Sequence, residues 1–86
     1  MPGECTMDDP HLRIKLTADD NSPFTVMFEP SGMAYELGGS EYMFADIPTV
    51  EVEEMEIVYW QGGISVWAPG AVTTLDSNGN ELHRLN

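Results

Sequence analysis

The amino-acid sequence predicts an all-β fold: a single small antiparallel β-sandwich or barrel of about seven or eight short strands, preceded by a flexible N-terminal arm. Short runs alternate apolar and polar side chains, the period of a half-buried strand. Clusters of Gly, Pro, Asn, Asp and Ser interrupt these runs about every eight to ten residues, the spacing of a small β domain. No window of about eleven residues follows the 3.6-residue period of an amphipathic helix.

Residues 1–10, MPGECTMDDP, have no periodicity and are expected to form the arm, leaving 11–86 as one β domain. In HLRIKLT, Leu12, Ile14 and Leu16 share one face and Arg13 and Lys15 the other. ADDNSP (18–23) is a loop of residues that hydrogen-bond their own backbone. FTVMFE (24–29) turns Phe24, Val26 and Phe28 inward. PSG (30–32) then reverses the chain into MAYEL (33–37), a tight hairpin. GGSE (38–41) precedes YMFADI (42–47), which Pro48 stops.

The pattern slips in the next segment, VEVEEMEIVYW (50–60). Val50 and Val52 share one parity, whereas Met55, Ile57 and Tyr59 take the other, and one regular strand cannot bury both sets. A β-bulge near Glu53–Glu54, or a short turn separating two strands, absorbs the extra residue. QGG (61–63) turns the chain, and ISVWA (64–68) runs back beside 55–60. After Pro69-Gly70 come AVTTLD (71–76), the Asn-Gly turn SNGN (77–80) and ELHRL (81–85). Asn-Gly between strand-like runs marks a hairpin with positive φ.

Charge narrows the function. Of 86 residues, 15 are acidic and three basic, a net charge of −12. Arg13, Lys15 and Arg84 cannot neutralise a phosphate backbone or dock on an anionic lipid surface, so neither nucleic acid nor membrane is an expected direct partner. A basic protein is the expected partner class, although acidity also serves solubility alone. Cys5 is the single cysteine, so no disulfide or cysteine-built zinc site forms within one chain. That usage, with no charged-then-apolar leader at the start, fits a reducing, cytoplasmic setting.

Catalytic sets are absent from the pattern. Glu51 and Glu53 on one strand face, about 7 Å apart, and Glu54 and Glu56 beyond the slip form a wet face. Nothing in the alternation buries them, as a general acid requires. His11 and His83 meet only if the first and last strands pair, where Glu81 would complete a metal set. DSNGNE (76–81) lacks the spacing of a calcium loop and is expected to be a turn. Cys5 has no basic neighbour to stabilise a thiolate, and the Gly-Gly pairs lack a P-loop lysine. Neither catalytic residue nor cofactor nor metal is expected.

The aromatics give the sharper signal. With Tyr59 inward, Trp60 faces the opposite way; with Ile64 and Val66 inward, so does Trp67. Both tryptophans are thus expected outside the core on one hairpin unless a second sheet or the arm covers them. The segments FEPSGMAYEL, GGSEYMF, GGISVW and DSNGNEL, spanning about residues 24–82, resemble short actinobacterial all-β proteins without an assigned activity. Glu29-Pro30, Gly32, Tyr35, Leu37, Gly62-Gly63, Trp67 and Gly79 carry the likeness, which implies a compact β domain and assigns no functional residue.

The expected function is a non-catalytic, acidic protein-binding or accessory module whose contact surface is the 55–67 hairpin, with Trp60, Trp67, Glu51, Glu53, Glu54 and Glu56 as binding residues. One rival is a nucleic-acid mimic that inhibits a DNA-binding protein; it needs the acids of 46–56 to run on into Glu29, Glu36 or Glu41. The other is a small metal-dependent enzyme built on His11, His83 and Glu81.

Overall fold

The computed structural model describes residues 10–19 and 21–85 of the chain, so all of the expected arm but Pro10, with Cys5 in it, lies outside the described residues. Eight strands follow in order: β1 His11–Thr17, β2 Phe24–Glu29, β3 Met33–Leu37, β4 Tyr42–Pro48, β5 Glu56–Trp60, β6 Gly63–Trp67, β7 Val72–Leu75 and β8 Glu81–Leu85. The fold is all-β, and each strand coincides with an alternating run of the sequence.

Two four-stranded sheets result, ordered β1-β4-β7-β8 and β3-β2-β6-β5. The hairpins β2–β3, β5–β6 and β7–β8 each stay within one sheet, and the chain changes sheets at 18–23, 38–41, 49–55 and 68–71. Strands in different sheets share no phase. That explains the slip near Glu53–Glu54: Thr49–Glu54 form a 3-10 helix that carries the chain from β4 to β5. The Val50–Val52 segment is therefore not a strand, and Val50 is 84 % exposed while Val52 packs on the core. The expectation of a wholly antiparallel fold also needs correction. β2 and β6 are parallel, with Val26 opposite Ile64 and Phe28 opposite Val66. The β5–β6 hairpin inserts its second strand against β2, and a parallel neighbour is the only one available to a strand running that way.

The inward-facing side chains of both sheets build one core. Val26, Phe28 and Val66 meet Met43, Ala45, Ile47 and Val72, all nearly inaccessible. Among the described residues a single polar side chain is buried, that of Thr74, and it links the two sheets. Its Oγ1 lies 2.8 Å from Tyr35 Oη and accepts the His83 backbone N–H at 3.2 Å. Tyr35 also reaches His83 Nδ1 at 2.9 Å, so β3 is fastened to β7 and β8. Burial raises the Tyr35 pKa, against the opposing hydrogen bond with Thr74, because a phenolate would be poorly solvated there.

The β7–β8 turn is held by its own acid. Asp76 Oδ1 accepts the N–H groups of Asn78 and Asn80, both at 2.9 Å, and Gly79 takes φ 87°. The expected hairpin is present, with positive φ at Gly79. The Asn80 N–H is the main reason the Asp76 carboxyl titrates below 3.8, and the Arg13 guanidinium does the same for Asp46. A carboxyl depressed in the folded state stabilises above its unfolded pKa and loses that contribution as pH falls through the folded value. Thermal melts are therefore expected to drop below about pH 4. Asp76→Ala should lower the melting temperature at pH 7 and shrink that acid-dependent drop.

Candidate functional site

The register of β5 on β6 decides which side chains the hairpin presents. Glu56 faces Trp67, Val58 faces Ser65 and Trp60 faces Gly63, while Ile57 and Tyr59 stand opposite Val66 and Ile64 on the core side. Glu56, Val58, Trp60 and Trp67 therefore occupy the outer face, as the parity of the two strands implies. The second sheet lies on the other side, and Trp67 stays 44 % exposed.

The two tryptophans are not neighbours. Gly63 and Trp67 are four residues apart, about 13 Å along the strand, and Trp60 sits at the Gly63 end. Trp60 lies over Gly63, where a Cβ would come within 2.8 Å of its ring, and its Nε1–H donates to Ser65 Oγ at 3.0 Å. It packs across the turn end of the hairpin. Only the glycine at 63 lets the ring lie so low, a relation the strand pattern does not announce.

The glutamates also divide. Glu51 and Glu54, three apart in the 3-10 helix, point the same way. Glu51 is half-buried, its carboxylate filling the space a side chain at Gly70 would need, and its Oε1 has no hydrogen-bond partner among the described residues. It therefore does not belong to a wet strand face. Glu53 is exposed on the same helix. Glu54 and Glu56 join Trp67, Pro30, Ala68 and Pro69 around a groove of about 390 Å³. Among the described residues neither of those two carboxylates has an ion-pair partner. Pro30, Ala68 and Pro69 come from connections, which strand periodicity cannot place.

A second groove, about 480 Å³, lies between Tyr35, Glu36, Glu41 and Tyr42 on one side and Asp76 and Leu82 on the other. Its acids already serve the fold: Glu36 accepts from Thr25 Oγ1 at 2.7 Å, Glu41 from the Gly38 N–H at 2.6 Å, and Asp76 from its own turn. The two grooves share no lining residue. Asp46 lies in neither, paired in a two-pronged bond with Arg13 at 2.7 and 2.9 Å.

All three cations stand on the other sheet. Arg13 and Lys15 are on β1, Lys15 lying 4.2 Å above the Tyr42 ring, and Arg84 on β8 pairs with Glu81 at 3.0 Å. The β3-β2-β6-β5 sheet has no basic residue at all. His11 and His83 sit on the two opposite edge strands of their sheet, strands about 14 Å apart, and the register offsets His83 from His11 by a further three residues; His83 is bonded to Tyr35. The first and last strands do not pair, so the histidines are not brought together. No family model, curated protein or solved structure matches the chain.

Proposed function

We propose that this chain is a non-catalytic, acidic binding module whose β5–β6 hairpin receives a basic segment of a partner protein. The groove at Trp67 carries the reading: an exposed indole stands beside Glu54 and Glu56, two carboxylates without an ion-pair partner among the described residues. An ammonium or guanidinium over an indole face gains about 0.5–2 kcal/mol, more as water is excluded. The carboxylates at the rim attract such a group from a distance and make capture salt-sensitive. Lys15 over Tyr42, beside the Arg13–Asp46 pair, shows this chain using the same chemistry internally.

The mimic reading draws less support, because the acids are split between two grooves and Asp46 is tied to Arg13. The metal-enzyme reading lacks its meeting of histidines. We take the two sheets as a sandwich, open along the side where β1 and β5 lie, working in a reducing cytoplasm.

A fluorescence titration with a synthetic peptide alternating lysine and valine tests the reading. Binding is expected at low salt and should weaken as salt rises. Trp67→Ala should weaken it about tenfold, equivalent to about 1.4 kcal/mol. Glu54→Gln with Glu56→Gln should flatten the salt dependence. Absence of binding at low salt, or unchanged affinity in the Trp67 variant, contradicts the reading.

A further inference from the structure

We propose that the basic segment binds as an added β-strand along the free edge of β5, with apolar side chains beside Ile57 and Tyr59 and basic ones beside Glu56. This rests on the reading of the hairpin as a receptor for a basic segment, and adds the conformation and residue pattern of that segment.

The backbone of β5 supplies the first argument. Only Gln61 and Gly62 separate Trp60 from Gly63, so that pair exchanges both ladder bonds and the pattern alternates from there. Ile57 and Tyr59 fall at the positions whose N–H and C=O point away from β6. β5 ends its sheet, and among the described residues no backbone hydrogen bond crosses that edge. An unpaired row of this kind is a template for another strand.

The side chains supply the second. Edge strands ordinarily carry a lysine, a proline or a bulge that discourages pairing. β1 has Arg13 and Lys15, and β8 has Arg84 and a register shift opposite Thr74/Leu75. β3, MAYEL, and β5, EIVYW, the edges of the other sheet, have none of these. β3 is tied to β7 and β8 through Tyr35, whereas β5 has no such tie among the described residues and pairs β6 without interruption. Its core-side residues remain open: Ile57 is 49 % and Tyr59 82 % exposed. Tyr35 fastens β3 to β7 and β8, so the sheet orders leave β5 and β1 on the other side, where Leu12 is also exposed. Apolar side chains of an added strand would extend the core there.

Charge selects the occupant. Glu53, Glu54 and Glu56 flank this edge, and no cation stands anywhere in its sheet. A second copy brings the same glutamates and a further −12, and residues 1–9 of this chain hold Glu4, Asp8 and Asp9 with no base. A segment alternating basic and apolar residues meets both requirements, carboxylates on the outer face and exposed apolar side chains on the inner one.

Two peptides decide the matter: the alternating lysine–valine peptide, and the same sequence N-methylated at every second amide. N-methylation preserves charge and apolar surface but removes the strand's donors. Affinities of both, and hydrogen exchange at the Ile57 and Tyr59 amides, are measured on the intact protein. At least tenfold weaker binding of the methylated peptide, with both amides protected by the parent peptide, is the expected result. Equal binding of the two peptides, still dependent on Trp67, overturns strand addition and leaves the binding module standing. Binding of neither overturns both. Protection of the two amides that rises with protein concentration, without peptide, assigns the edge to a second copy and overturns the proposal.

Discussion

Phe28→Ala is expected to lower the unfolding free energy by about 3–5 kcal/mol, the range for removing a buried ring. Phe28 is the largest side chain among the described residues with almost no accessible surface, and it sits near the end of β2, a strand flanked by β3 and β6. Its ring meets Tyr35 edge-on, with centroids 5.8 Å apart. The substitution opens a cavity and also loosens the support of the tyrosine that links the sheets through Thr74. A domain of this size has only about 5–15 kcal/mol in total. Equilibrium urea denaturation should show a lower midpoint with little change in slope. A midpoint within error of the parent would mean that the core is not where the structure puts it.

Gly63→Ala is expected to cost about 1–3 kcal/mol, through overpacking rather than loss of burial. A methyl there would press against the Thr25 carbonyl oxygen of β2 on one side and the Trp60 ring on the other. The carbonyl belongs to the β2–β6 ladder and has little freedom, so the indole must lift and its bond to Ser65 is put at risk. Two readouts separate this from a general weakening. Near-ultraviolet circular dichroism should report the moved tryptophan, and the melting temperature should fall. An unchanged tryptophan signal would show that the ring does not depend on the glycine.

Both expectations depend on relations of unequal legibility. Phe28 is plainly apolar and inward in FTVMFE, and alternation alone marks it as core. The Gly63 contact depends on β2 and β6 being parallel neighbours, which no local pattern reveals, because the pairing joins segments about 38 residues apart in the chain. Hairpins were legible for the converse reason: EPSG, QGG and SNGN each join strands that pair with what lies just beyond the turn. The parity slip of 50–60 was visible as well. Its cause, a 3-10 helix at a change of sheet, was less so, because TVEVEE carries the alternation of a strand.

The candidate site divides along the same line. Trp67 and Glu56 follow from parity, since a strand residue next in sequence to an inward-facing one must face out; Glu54 does not, because it ends the 3-10 helix. Glu51 and Trp60 do not, because a packing partner far from the strand pattern claims each: Gly70 for the acid, Gly63 for the indole. The Tyr35–Thr74–His83 link escaped for a related reason. Tyr35 reads as one more apolar position, and only the facing of the two sheets brings its hydroxyl to the buried Thr74.

The central claim is that the β5–β6 hairpin, and no other surface, receives a basic segment. The most direct measurement is a two-dimensional amide NMR titration of the isotope-labelled protein with the alternating lysine–valine peptide at low salt. The account predicts saturable shifts concentrated at residues 54–60 and 65–69, including the Trp67 indole N–H. Shifts centred instead on Tyr35, Glu41 and Asp76, or no saturable shifts at all, would contradict it.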